Sequence, residues 1–271
     1  MPRDFRFQKP SYRRQAPRPP RENTSGASDA PGDPPLEVPA LELGAPFRFD
    51  AAFARRLARR EVNVKEAFTV RDGSGAYYRA SLKELGAEGG LAQPYERCAV
   101  SPEPALDITL ACAVLARQRM LFVAQKATEL GVSRIVPLLT EHSVPASGLS
   151  HEKAHAWPGQ IVRAAKQCRR GSLPAILPPA AFQAFLASPA MEQAQLRLYL
   201  DNVGGQAPAE GAKPEKVLLI VGPEGGFSDA ERKALEGRAA PWLLGGRVLR
   251  AETAVLAGLT AVQLKWGDFR A

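Results

Sequence analysis

The sequence predicts an α/β protein with a parallel sheet in its C-terminal part and a small β-rich unit before it. Three observations predict this. From about Pro104 onward, short apolar runs alternate with stretches of helical periodicity. Two of the later apolar runs, near residues 221 and 244, end in glycine-marked polar turns. Between Phe47 and Val100, by contrast, the pattern alternates with the period of two that half-buried strands require.

Residues 1–45 are rich in Pro, Arg, Ser and Gly and poor in branched apolar residues, the composition of a chain that buries too little surface to order itself. They are expected to form a disordered tail, basic over 1–21 and acidic over 22–46. Residues 46–103 form the β-rich unit: "AAFARRLARREV" is an amphipathic helix with arginines on its polar face, and "EAFTV" and "AYYRASL" are strands around the hairpin signal Asp72-Gly73. Residues 104–271 form the α/β unit. Here "ALDITLACAVL" is a strand, "RQRMLFVAQKATELG" a helix closed by Gly131, and "SRIVPLLT" a second strand. Further on, "GQIVRAAKQCRR" is helical after a break at Pro158, and "QLRLYLD" and "KVLLIVG" are strands. A helix from Ser228, a short strand "WLLGG" and a final helix "AETAVLAGLTAVQLKW" complete the unit. Ligands of such sheets bind at the carboxyl ends of the strands.

Three scattered cysteines, Cys98, Cys112 and Cys168, have neither the count nor the spacing of a disulfide framework or a zinc site, which fits a reducing cytoplasm without a bound metal. No apolar run reaches the ~18 residues of a membrane span, and the basic N-terminus lacks the apolar core of a signal peptide. The net charge of +8 is clustered, at "ARRLARR" and around Lys166, Arg169 and Arg170, as a polyanion partner such as RNA would demand.

The turn "GPEGGFS", residues 222–228, follows an apolar strand. It lacks the Gly-Lys-Ser/Thr of a phosphate loop and the GxGxxG spacing of a dinucleotide fingerprint, and Glu224 would repel a pyrophosphate. It suits a ligand with hydroxyl or amine donors or a positive charge, and S-adenosylmethionine has all three. A ligand-free reading exists as well, because Ser228 and Glu231 form an S-x-x-E capping box that a tight strand-to-helix connection uses by itself. A second polar turn, "LLGGRVLRAETA", carries Arg247, Arg250 and Glu252 into the first turn of the last helix. These residues suit either substrate orientation or an internal ion pair.

The blocks "QKATELGVSRIVPLLTEHSV", "GPEGGFS" and "LGGRVLRAETA", together with "AAKQCRR", resemble the bacterial 16S ribosomal RNA uridine-N3 methyltransferase family of the SPOUT superfamily. They occur in the family's order and span residues 110–265. The resemblance implies a C-terminal domain with a deep trefoil knot, a PUA-like β-barrel that binds RNA, and a homodimer in the cytoplasm that acts on the small ribosomal subunit. It also implies S-adenosylmethionine bound by Leu200, by Gly222, Pro223, Glu224, Gly225 and Gly226, and by Leu244, Gly245, Leu249, Arg250, Glu252, Thr253 and Ala254. Glu224 would either face the ligand's hydroxyls and amines or hold its own loop.

Methylating uridine N3 requires loss of its proton and alignment with the methyl donor. Glu252 is the expected base and Arg250 the expected stabiliser of a uracil oxygen. Phosphate contacts are expected from Arg119, Lys126, His142, Arg163, Lys166, Gln167 and Arg170. The sequence departs from the family at Ala116 to Arg119, where a basic-Gly-Asp-basic run is usual, and at Lys166, where glutamate is common. It also departs at His142, where arginine is frequent, and in the looser "ARRLARR" of the small unit. A SPOUT enzyme acting on another RNA atom and a non-catalytic RNA-binding assembly protein are the alternatives.

Overall fold

The period-two pattern after residue 46 builds a hairpin before anything else. Asp72 ends one strand, and its carboxylate accepts from the Ser74 N–H and hydroxyl and from the Ala76 N–H, an Asx turn that closes the four-residue connection. In the computed structural model, which describes residues 32–202, 204–205 and 213–269, this hairpin is the centre of a five-stranded sheet. Its strands are β1 (Leu36–Val38), β2 (Phe47–Asp50), β3 (Ala67–Asp72), β4 (Tyr77–Gly86) and β5 (Gly89–Arg97), in the order β1-β3-β4-β5-β2. Helix α1 (Ala51–Arg59) is capped by the Asp50 carboxylate, which accepts from the Phe53 N–H at 2.8 Å, and it buries Phe53 and Leu57 against the sheet.

The boundary expected at residue 45 is corrected by β1. Leu36 is 1% exposed, and β1 pairs in parallel with β3 from Leu36 opposite Val70 to Val38 opposite Asp72. Just before it, the Asp33 carboxylate takes ion pairs from Arg56 and Arg60. Three residues between prolines show no strand pattern of their own; pairing with β3 and the arginines of α1 order them. Residues 1–31, the greater part of the expected tail, lie outside the described residues.

The second unit contains β6 (Asp107–Ala113), α2 (Arg117–Glu129), β7 (Arg134–Leu139), α3 (Trp157–Gln167), β8 (Ala175–Ile176), β9 (Ala180–Ala181), α4 (Phe182–Leu186), α5 (Pro189–Gln193), β10 (Leu196–Leu200), β11 (Lys216–Val221), α6 (Asp229–Leu235), β12 (Ala240–Trp242) and α7 (Ala251–Trp266). The strands form one sheet in the order β12-β10-β11-β6-β7-β8, with β9 also on β7, and every pairing in it is parallel. Continuously apolar strands are what a sheet covered on both faces needs. Their alternate residues separate accordingly: Val217, Leu219 and Val221 of β11 pack with α2, α3 and α7, while Leu218 and Ile220 pack with α4, α5 and α6.

Local signals set the ends of these elements. Gly131, at φ +83°, takes the left-handed position after α2 that a side chain would strain. Pro158 lies inside the first turn of α3 rather than before it, because a proline there loses no helical hydrogen bond. "WLLGG" is not the strand: β12 ends at Trp242 and the following residues form a loop. Helix α7 lies close against β10 and β11. A Cβ on Gly258 would stand 2.8 Å from Leu200 and 3.0 Å from Leu219, so Gly258→Val should cost about 1–3 kcal/mol through overpacking. Urea denaturation would show this as a lower midpoint at an unchanged slope.

Candidate active site at the strand ends

The carboxyl ends of β10, β11 and β12 open into one cleft. Its walls come from Leu200 and Asp201 after β10, Gly222–Phe227 after β11, and Trp242–Gly245 and Arg247–Leu249 after β12, with Ala251 and Ala254 from α7. The cleft is open to solvent at its mouth, and the space within it has a volume of about 190 Å³. The sequence-predicted residues Leu200, Gly222, Pro223, Glu224, Gly225, Gly226, Leu244, Gly245, Leu249 and Ala254 all line it; Arg250, Glu252 and Thr253 do not. Arg250 stands at the N-cap of α7 and is exposed, as is Thr253, whereas Glu252 is half-buried in the helix's first turn.

The "GPEGG" loop is held from several sides. Gly226 donates its N–H to the Pro223 carbonyl at 2.9 Å and takes φ +73°, a left-handed conformation that glycine adopts without steric cost. The capping box foreseen in the sequence is present: Ser228 and Glu231 satisfy each other's backbone N–H at the start of α6. The second oxygen of Glu231 accepts from the Glu141 N–H at 2.9 Å, and His142 Nδ1 donates to the Gly226 carbonyl at 3.1 Å. The turn after β7 thus braces the glycine loop. His142, expected at the RNA surface, has an exposed ring that caps this loop.

Glu224 has a specific partner. Arg119, in the first turn of α2, forms an ion pair with the Glu224 carboxylate, and its Nε lies 3.8 Å from Glu252 Oε1. The hydrogen bond it donates to Glu224 holds the Arg119 guanidinium above its ordinary pKa, with both carboxylates' charges adding to the effect. Arg119 therefore joins the β11 loop to the start of α7, and the loop-holding role for Glu224 is the one the geometry favours. Glu252 Oε2 is buried without a hydrogen-bond partner. Below the loop, burial and then the Glu224 charge push the Cys112 thiol up to about 12, so it stays protonated and is no nucleophile.

The other residues expected at phosphates are placed differently. Arg170 is 8% exposed and spends its guanidinium on the carbonyls of Thr128 and Val132, on Glu103 and on Ser172. It is corrected to a tie between elements, since a phosphate cannot reach it. Lys166 donates to Glu66 and to the Glu61 carbonyl, across to the five-stranded unit, and Lys126 pairs with Glu129. The tie to Lys166 holds the Glu66 carboxyl below its usual range. Arg163 and Gln167 are exposed on α3, and Arg163 donates to Gln160 at 2.7 Å.

Sequence reasoning missed Asp201 and Arg232, which pair at 3.0 Å at the cleft wall, and the apolar walls Trp242 and Phe227. The acid at the end of "RLYLD" was the available signal for Asp201. Among the described residues no helix is long and apolar enough to cross a membrane, and no cluster of three His, Cys, Asp or Glu could hold a metal.

Comparison with known proteins identifies the family. The family described as RNA methyltransferase domain matches residues 101–263. The Synechocystis sp. protein named ribosomal RNA small subunit methyltransferase E is 32% identical over 204 residues, 73% of this chain and 65% of that relative's length. Among solved structures, a ribosomal RNA small subunit methyltransferase E from Neisseria gonorrhoeae, bound to S-adenosylmethionine, superposes with a TM-score of 0.64. It shares 29% identity and covers 88% of this chain and 100% of that one. A methyltransferase from Legionella pneumophila with its bound cofactor S-adenosylmethionine gives 0.61 at 29% identity, over 86% and 98%. The two glycine-marked turns and the parallel sheet that carries them thus have the family their motifs indicated, and the chain belongs to the RNA methyltransferase domain family.

Proposed function

We propose that this protein transfers the methyl group of S-adenosylmethionine to N3 of a uridine in small-subunit (16S) ribosomal RNA, as a cytoplasmic homodimer. The observation that carries the reading is the strand-end cleft. It offers backbone polar groups and apolar walls from Leu200, Trp242, Leu244 and Leu249, while its carboxylates Asp201 and Glu224 are engaged by Arg232 and Arg119. These residues fit a flat heterocycle, ribose hydroxyls and an amino-acid tail. A Cβ at Gly222 would sit 3.1 Å from the Phe227 ring, so the glycine keeps the wall thin beside the cleft. S-adenosylmethionine, when bound, supplies an electrophilic methyl group.

The chain's own residues supply the rest. Glu252, adjoining the cleft through Arg119, is the acceptor for the N3 proton, and Arg250 at the helix start faces solvent, where a uracil oxygen gaining negative charge can approach it. Arg119 fixes the two loops relative to each other. The resemblance further supports a trefoil knot in the seven-stranded unit and a PUA-like barrel in the five-stranded one. Arg163 and Gln167 remain as phosphate contacts on α3, with Arg48, Arg55 and Lys83 adding exposed charge on the smaller unit.

Calorimetry tests the cofactor step. S-adenosylmethionine should bind with one site per chain, and absence of binding would favour a non-catalytic assembly protein instead. Arg119→Ala should lower kcat/KM by up to about 10²-fold through loop misplacement, and Arg119→Lys should restore part of it. Steady-state methyl transfer reads both variants, and equal rates for wild type and Arg119→Ala would remove the loop-joining role.

A further inference from the structure

A second cavity lies between the two units, far along the chain from the cleft loops. Arg60, Arg79, Lys166 and Arg170 line it together with apolar residues such as Leu36 and Phe68, and no Asp or Glu does. Arg60 is 5% exposed, and Arg79 and Arg170 are 8% exposed each. Three of the four cations have carboxylate partners outside the cavity: Asp33 for Arg60, Glu66 for Lys166 and Glu103 for Arg170. Asp33 is also shared with Arg56. Arg79 is different. Its Nη1 donates to the Thr69 hydroxyl at 2.8 Å, and among the described residues no carboxylate comes within ion-pair distance of it. The Thr69 hydroxyl in turn donates to the Arg169 carbonyl at 2.7 Å, so it brings no negative charge. The Nε atoms of Arg79 and Arg170, one from each unit, are both buried without partners.

Burying an unpaired guanidinium costs several kcal/mol, as does leaving its N–H groups unmatched. We propose that this cavity binds a monovalent anion of chloride size, which accepts from Arg79 and Arg170 and balances the surplus positive charge between the units. The free volume of about 20 Å³ admits a single water-sized particle, so phosphate is too large, and the burial of Arg79 keeps RNA phosphates away. A water would satisfy the two N–H groups and leave the charge uncompensated. Burial is the largest cause lowering the pKa of Arg60, against the opposing pull of Asp33 and Glu103. Because its ligands come from β4 and from the segment after α3, the anion would fasten the five-stranded unit to the seven-stranded one.

Two measurements on the full chain test this. Crystals grown in sodium bromide should show an anomalous peak between Arg79 and Arg170; a water-like feature with no anomalous signal would overturn the proposal. In solution at constant ionic strength, replacing gluconate, which the cavity cannot hold, by chloride should give a saturable rise of about 2–4 °C in Tm, and Arg79→Met should abolish it. Equal Tm values for the wild type in the two salts would overturn the proposal as well. The bromide experiment uses the unaltered protein, so it decides even if Arg79→Met does not fold.

Discussion

Glu252→Gln is expected to lower kcat for uridine methylation by about 10³-fold, the range of a lost general base, while leaving the affinity for S-adenosylmethionine unchanged. The substitution keeps the shape of the side chain and removes its capacity to accept a proton. Glu252 occupies the first turn of α7, where the unsatisfied N–H groups of a helix start favour a carboxylate. One oxygen lies 3.8 Å from Arg119 Nε, and the other is buried without a partner, so part of the carboxylate is uncommitted. Affinity should survive because Glu252 does not line the cleft. If the variant keeps a near-normal kcat, Glu252 is not the base. If kcat falls only because Arg119 loses its anchor, the double variant with Arg119→Ala should be no slower than Arg119→Ala alone, whereas a base that acts separately gives losses that compound.

The second large effect falls on stability. Arg170→Met should cost about 3–5 kcal/mol, because removing one partner of a buried pair strands the other. The Glu103 carboxylate, 15% exposed, would keep its hydrogen bonds from the Gly171 and Ser172 N–H groups but lose its charge partner. The carbonyls of Thr128 and Val132, at the end of α2 and the turn after it, would lose their donor. At about 2–4 °C of Tm per kcal/mol for a chain of this size, the thermal midpoint should fall by roughly 6–20 °C. Exposed Arg163→Met on the neighbouring helix α3 should change it by less than 2 °C. A variant at Arg170 as stable as the wild type would contradict its role as a tie between elements.

The cations on one short stretch of chain show what the sequence could and could not disclose. Lys166, Arg169 and Arg170 read alike as a basic patch, but only the fold determines which cations find carboxylates: Glu66 and Glu103 are 100 and 67 residues away from Lys166 and Arg170 in the chain. The same limit hid the partner of Glu224, since Arg119 lies 105 residues away from it. The parallel sheet was legible because β6, β7, β10 and β11 are apolar on both faces, and the cleft loops were legible because glycine, proline and acid at a strand end carry their own local chemistry. β1 was not legible, as Leu36–Val38 gains its strand character from β3. The loop after Trp242 has the apolar look of a strand because of Leu243 and Leu244, but Leu244 lines the cleft.

The central claim is that the cleft at the ends of β10, β11 and β12 positions a methyl donor for attack by a uridine ring nitrogen. The most direct measurement is to incubate the purified protein with methyl-labelled S-adenosylmethionine and unmodified small ribosomal subunits or their RNA, then locate the label by nucleoside mass spectrometry. The claim predicts 3-methyluridine at one position in 16S RNA. Label on a ribose hydroxyl or another base, or no transfer to either substrate, would contradict it.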